Sequence, residues 1–243
     1  MARKRASKPK HPTASGSDVV WEPLTGSLEK VVELRIAMPR QILASALARV
    51  MPQFRERFPR VRLHIEERDA SAAAAVAAGS SEVAVYAGTD RDPRLTYQLL
   101  PGVPMLVASP KKHRWNGNRI SARALARQPL IVYPPSTPLR ARMDAWFEKA
   151  EVAPQDIVMT VRDTESVLRY VGLGLGHAIV PRLGLRTSED YVLHPGSPAI
   201  EHYEPVIVYN PGKQGLPPAT AALILMLEEV WPALTRVWHR KKK

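Results

Sequence analysis

The sequence predicts an α/β fold built as two successive strand–helix units. Short apolar runs of strand length alternate with amphipathic or alanine-rich runs of helix length, a pattern that calls for a mainly parallel sheet covered by helices. The arrangement of strand, proline-containing turn and helix appears at residues 34–58 and returns at 130–150. A chain of 243 residues, 45% hydrophobic and 24% charged, is long and apolar enough to bury a sizeable core as one domain or two compact lobes.

The first unit opens with a buried strand at 34–37, which Met38 and Pro39 turn into an amphipathic helix. Its apolar positions Leu43, Leu47, Val50 and Phe54 share one face, with Arg49, Arg55, Glu56 and Arg57 on the others. Pro39 is tolerated in the first helical turn, where its missing N–H has no partner to lose. Pro59 closes the segment. A strand that feeds straight into a helix leaves free N–H groups beyond its C-terminal end, where α/β folds bind small anions. Most such junctions bind nothing, so this one needs a second signal. Residues 61–66 alternate apolar and polar side chains, as a strand with one covered face does. His64 falls on the polar side with no metal-ligand partner at useful spacing, and reads as a surface histidine. The alanine-rich run 70–78 is a helix ended by Gly79, its small side chains allowing close approach to the sheet. Strands at 82–87, 95–100 and 105–108 complete the unit, with a turn-rich segment at 88–93.

The second unit starts at Ser109. Lys111, Lys112, His113, Arg114 and Trp115 form a basic turn, read as a solvated loop rather than a phosphate contact. Ser121 caps a helix at 122–127. A strand at 130–133 meets the turn Pro134, Pro135, Ser136, Thr137, Pro138, and then a helix at 139–150 with Leu139, Met143, Trp146 and Phe147 as its stripe. A hydroxyl at Ser136 or Thr137 can cap that helix or hydrogen-bond a ligand. Next come a strand at 157–161 and a helix at 165–172, capped by Asp163 or Thr164. Gly172, Gly174 and Gly176 superficially resemble a dinucleotide loop. That loop follows a strand and opens a helix, whereas these glycines close a helix and lead into a strand at 178–181. The nucleotide reading is rejected. A strand at 206–209 and a helix at 219–230, with Leu223, Leu227 and Val230 on one face, precede Trp231, Pro232 and a basic tail.

Composition excludes several chemistries. There is no cysteine, so disulfides, cysteine-based zinc sites and thiol catalysis are impossible. The formal charge of +12 sits mostly in the ends: Arg3, Lys4, Arg5, Lys8 and Lys10 at one, Arg236, Arg240, Lys241, Lys242 and Lys243 at the other. Short basic ends bind polyanions without specificity or simply aid solubility. Residues 1–17, basic and rich in Pro, Ser and Gly, are expected to be disordered, followed by a lead-in that carries Trp21. No stretch is long and apolar enough to span a bilayer, and no apolar segment of a signal peptide follows the basic start. A cytoplasmic location is expected.

In order and spacing, several segments together match a known family. They are Leu34-Arg35-Ile36-Ala37 with the helix ending at Phe58-Pro59, residues 79–85, Asp92 to Leu95 leading to 104–110, and the Gly172 to Pro181 run. The chain resembles the effector-binding domain of LysR-type transcriptional regulators over about two-thirds of its length. The resemblance implies a type 2 periplasmic-binding-protein-like fold, two Rossmann-like lobes joined by a two-strand hinge. Lobe I would comprise 34–109 with 212–235 and lobe II 110–211, flanked by basic tails at 1–33 and 236–243. Carried over position by position, the effector site falls at Pro39, Arg40, Gln41, Ser136, Thr137 and Thr164, all at strand-to-helix turns. For each, the alternative is a local cap. Two departures stand out. The opening turn lacks the Ser or Thr hydroxyl usual in the family, and Arg40 could replace it with a charge-assisted contact to a carboxylate. The winged helix-turn-helix and long linker helix of such regulators are not recognisable in the 33 residues before Leu34.

The expectation is therefore a non-catalytic sensor of a small anionic metabolite in transcription regulation. It would need no cofactor or metal, form a homodimer through the first helix and following strand, and touch DNA only non-specifically or through a partner. One rival is a stand-alone solute-binding protein for transport, against which the missing signal peptide argues. The other is an enzyme on the same bilobal fold, for which the sequence offers no acid–base pair, metal cluster or nucleophile–base pairing.

Overall fold

The structure, a computed structural model, describes residues 32–69, 71–88, 91–185, 188–212 and 215–235. The N-terminal lead-in up to residue 31 and the basic tail at 236–243 lie outside the described residues.

Two sheets organise the chain. The first is ordered β2-β1-β3-β11-β4, from β1 (Val32–Met38), β2 (Val61–Glu67), β3 (Val83–Tyr86), β4 (Thr96–Leu99) and β11 (Val206–Tyr209). β1 runs parallel to β2 and β3, while β11 runs antiparallel to β3 and β4. The second is ordered β6-β10-β5-β9, from β5 (Met105–Pro110), β6 (Ile120–Ser121), β9 (Ala178–Pro181) and β10 (Tyr191–Ser197). A bridge from Leu130 to His177 continues it into the parallel pair β7 (Pro129–Val132) and β8 (Asp156–Thr160).

The lobe boundaries differ from those drawn on the sequence. β5, placed in lobe I, belongs to the second sheet, and β11, placed in lobe II, belongs to the first. Both are short apolar runs, and periodicity cannot tell which sheet such a strand joins. The chain instead crosses between lobes just before β5 and just before β11. The two crossings pair antiparallel at Val103 and Tyr203, with reciprocal N–H···O bonds of 2.7 and 2.9 Å. Pro101, Pro104 and Pro205 flank this hinge pair and stiffen it.

The opening helix keeps its expected face but not its expected regularity. Pro39 is the N-cap of α1 (Arg40–Ile42), and its carbonyl accepts the N–H of Ile42 at 2.9 Å and of Leu43 at 3.1 Å. A π-helical turn at Leu43–Leu47 follows, then α2 (Ala48–Arg57) with Pro52 inside it. Ile42, Leu47, Val50 and Phe54 are buried, while Leu43 is only partly so. α3 (Ala72–Ala77) packs its alanines against β3 and ends at Gly79, whose φ of +71° is the conformation glycine adopts without steric cost. In the second lobe, α4 (Ala122–Leu125) and α5 (Pro138–Lys149) pack together, and α6 (Thr164–Gly172) covers β5, β7 and β9. Gly174, with φ +84°, ends α6, so the three glycines close a helix as expected.

β10 escaped the sequence because Pro195 and Gly196 break its pattern, and β6 because it is two residues long. The final helix, α7 (Pro218–Thr235), runs through Pro232 instead of stopping at Val230. Trp231 is the reason: its indole is fully buried and donates to the Pro101 carbonyl at 2.8 Å, tying the helix to the hinge.

Candidate functional site

The C-terminal end of β1, the start of α1, the loop after β9 and the start of α6 meet between the lobes. Gln41, half-buried in α1, reaches across this cleft. The Thr164 hydroxyl donates to Gln41 Oε1 at 3.1 Å, and Gln41 Nε2 donates to the Pro181 and Leu183 carbonyls, each at 3.4 Å. Behind Thr164 lies the Tyr133 hydroxyl, 2.8 Å from Thr164 Oγ1. Since the single proton of Thr164 goes to Gln41, Tyr133 is the donor in that pair. Tyr133 is buried, and burial pushes its phenol well above the usual tyrosine range, so it stays protonated. The result is a run of donors from Tyr133 through Thr164 that ends at one acceptor position in the cleft.

Other side chains border the same opening. Arg40 is exposed and lies 3.9 Å from Glu67. With Asp163, Glu165, Ser166 and Arg169 it lines a cavity of about 190 Å³ at the start of α6. Asp163 caps α6 by accepting the Ser166 N–H at 2.8 Å. Burial pushes its carboxyl up, but the bonds from Ser166 and the charge of Arg40 outweigh this and hold it below the ordinary value. Asp69 forms an ion pair with Arg162 at 3.1 Å, another contact from the first lobe to the second. Arg68 binds Glu66 at 2.5 Å, yet its Nε is buried without a hydrogen-bond partner. Tyr203 of the hinge is buried, and burial, helped by the nearby Asp69 charge, raises its phenol.

Of the six positions taken from the sequence, Gln41 and Thr164 are joined directly, with Pro39 and Arg40 beside them. Pro39 contributes only its carbonyl, which the helix consumes. Thr137 is buried and locally occupied: it donates to the Pro134 carbonyl at 2.9 Å and accepts the Arg140 N–H at 3.2 Å as the N-cap of α5. Ser136 is exposed and outside the network. Sequence reasoning missed Tyr133, Arg162, Arg68, Asp69 and Tyr203. Tyr133 carried a usable signal, since it is the first residue after β7, but it read as the last apolar residue of the strand.

A nucleophile–base pair that the sequence did not reveal does exist, in the second lobe. Ser109 Oγ lies 3.0 Å from His177 Nδ1 and accepts the Trp115 indole N–H at 2.8 Å. Ser109 is 0% and His177 3% exposed, so no substrate reaches the pair. The ring of His113, 4.4 Å from that of His177, seals it. It holds the 111–115 turn onto the lobe, which gives that turn a structural job. Among the described residues no group of three or more His, Cys, Asp or Glu could hold a metal ion, and no helix is long and apolar enough to cross a membrane.

A bilobal α/β chain, two crossings and donors gathered between the lobes agree with the comparison to known families, where residues 29–232 match the LysR substrate binding domain. The chain belongs to that family. Among curated relatives of this LysR domain is the HTH-type transcriptional regulator SsuR of Burkholderia cenocepacia, 26% identical over 148 residues, covering 60% of this chain and 48% of that protein. The chain spans about half the length of the curated relatives it matches. Among solved structures, the effector-binding domain of BenM with its effector benzoate has a TM-score of 0.69 at 17% identity, covering 87% of this chain and 98% of that one. The effector-binding domain of QuiR with shikimate gives 0.68 at 12% identity, covering 84% and 99%. These likenesses establish the fold, a LysR effector-binding domain of the type 2 periplasmic-binding-protein kind.

Proposed function

We propose that this LysR domain senses a small carboxylate in the cleft between its lobes and serves transcription regulation, without catalysis. The observation that carries the reading is the donor run from Tyr133 through Thr164, which ends where an acceptor must sit. A carboxylate oxygen supplies that acceptor, and Arg40 at the mouth supplies a cationic donor for its charge. Benzoate and shikimate, named with two of the structural neighbours, both carry a carboxylate. Pro39 shapes the turn, Gln41 borders the cleft, and Ser136 and Thr137 form the opposite rim.

A thermal-shift screen of small carboxylates, benzoate and shikimate included, tests this. A hit is expected to lose roughly tenfold in affinity in Thr164→Val and in Arg40→Ala, the value of a charge-assisted hydrogen bond. Hits indifferent to both substitutions would remove the cleft from consideration. The same reading includes a homodimer formed through α2 and the edge strand β2, where Ile65 stands 47% exposed. Sedimentation of Ile65→Glu should then yield a monomer; a dimer that survives it uses another face.

A further inference from the structure

The side chain that closes the donor run belongs to the protein itself. We propose that the Gln41 carboxamide is a built-in occupant of the cleft, latching α1 to the start of α6 and to the 181–183 segment, and that a ligand has to replace it. This rests on the effector-cleft reading above and adds the state in which the empty cleft is held.

The geometry assigns the amide one way round. Its oxygen meets the Thr164 hydroxyl at 3.1 Å, and its nitrogen meets the Pro181 and Leu183 carbonyls at 3.4 Å. Turned over, the amide oxygen would face two carbonyl oxygens, neither of which can donate, and both of those hydrogen bonds would be lost. All three partners lie on the second lobe, while Gln41 rides on a helix of the first. The latch sits where the lobes already approach closely. A side-chain carbon added at Gly184 would fall 2.5 Å from Ser45 Cβ, and Gly184 N–H reaches the Leu234 carbonyl at 3.3 Å. Ser45 in turn donates to the Gln41 carbonyl at 2.5 Å, pinning the backbone from which the amide projects. Another interlobe contact, Asp69 with Arg162, has side chains 38% and 60% exposed and holds little by itself. The half-buried amide is the better-shielded polar contact at the cleft. A ligand oxygen entering at Thr164 must therefore displace the Gln41 oxygen, and its apparent affinity falls by the fraction of time the latch is closed.

Amide hydrogen exchange of the intact chain tests the latch without any ligand. Gln41→Ala removes the contact. Gln41→Glu keeps its size but sets a carboxylate against two carbonyl oxygens. Both variants should speed exchange at Arg182, Leu183 and Gly184 roughly five- to tenfold, the worth of about one net hydrogen bond, while the Ile36 amide in β1 is unchanged. Unchanged exchange in Gln41→Glu, whatever Gln41→Ala does, would reduce the side chain to a space filler and overturn the proposal. In a titration with benzoate as probe, Gln41→Ala should bind more tightly than the unaltered protein by the same factor. Weaker binding would make Gln41 a ligand contact and also overturn it. Faster exchange in both variants with no carboxylate bound by either would sink the effector reading and leave the latch standing.

Discussion

His177 is 3% exposed in the Ser109–Trp115–His113 cluster, and burial, with repulsion from His113 and His194 adding to it, lowers its pKa to about 4. The folded protein therefore keeps this imidazole neutral where an unfolded chain, with a histidine pKa near 6.5, takes up a proton. Because the folded value is the lower one, the contribution to stability is complete above about pH 6.5 and is lost as pH falls toward 4, by up to roughly 3 kcal/mol. Denaturant unfolding at pH 7.5 and 5 should show about 2 kcal/mol of that loss, and His177→Asn, whose side-chain oxygen can still accept from Ser109, should flatten it. An unchanged pH profile in that variant would place the acid sensitivity elsewhere. The same cluster shows the limit of reading residues one at a time. Ser109, Trp115 and His177 are up to 68 positions apart, and nothing in the local pattern pairs them. Gln41 and Thr164, 123 positions apart, were named only because the family resemblance places both at the effector cleft; no spacing rule links them.

At the scale of elements, strands and helices bounded by strong local signals were legible. Ser121 caps α4, Asp163 caps α6, and Gly79 and Gly174 end their helices, because capping and positive φ are decided within a few residues. Elements decided by distant partners were not. β10 exists because β5 pairs with it despite Pro195, and α7 passes Pro232 because Trp231 has a place at the hinge. The loop after β9 is a third case and yields a prediction. Gly184 has φ +63°, and a Cβ there would lie 2.5 Å from Ser45 Cβ, in the π-helical turn that follows α1. Gly184→Ala meets both a left-handed backbone and a clash, and should cost roughly 2–4 kcal/mol by chemical denaturation. Ser45→Gly relieves the clash but also loses the Ser45–Gln41 bond and adds a helical glycine, so the double variant is compared with Ser45→Gly alone, against which only about half the Gly184→Ala loss should remain. Full recovery would mean the backbone tolerates alanine; none would mean the clash is harmless.

At the scale of the molecule, the question is whether two sheets make two folding units. One core cluster joins Leu34, Ile36 and Phe54 of the first lobe to Leu125, Leu130, Trp146 and Ile179 of the second. Val103 and Tyr203, the paired residues of the crossings, belong to it as well. Each lobe also has a cluster of its own, under α3 in the first and under α6 in the second, so an independent melt is conceivable only if the shared cluster is weak. It is not confined to the edge: Leu183, Met105 and Trp231 bring the loop after β9, β5 and α7 into the same contact. Opening one lobe would strip apolar surface from the other, at about 25 cal/mol per Å² exposed, and that penalty couples their stabilities. The chain should therefore unfold in a single transition. Its tryptophans can report this from both sides, since Trp146 donates to Pro198 in the second lobe and Trp231 to Pro101 at the base of the first. Two variants, one retaining only Trp146 and one only Trp231, should show coincident denaturation midpoints and equal slopes. Midpoints that separate reproducibly would show the lobes melting apart, and the hinge pair would then be a linker rather than part of the core.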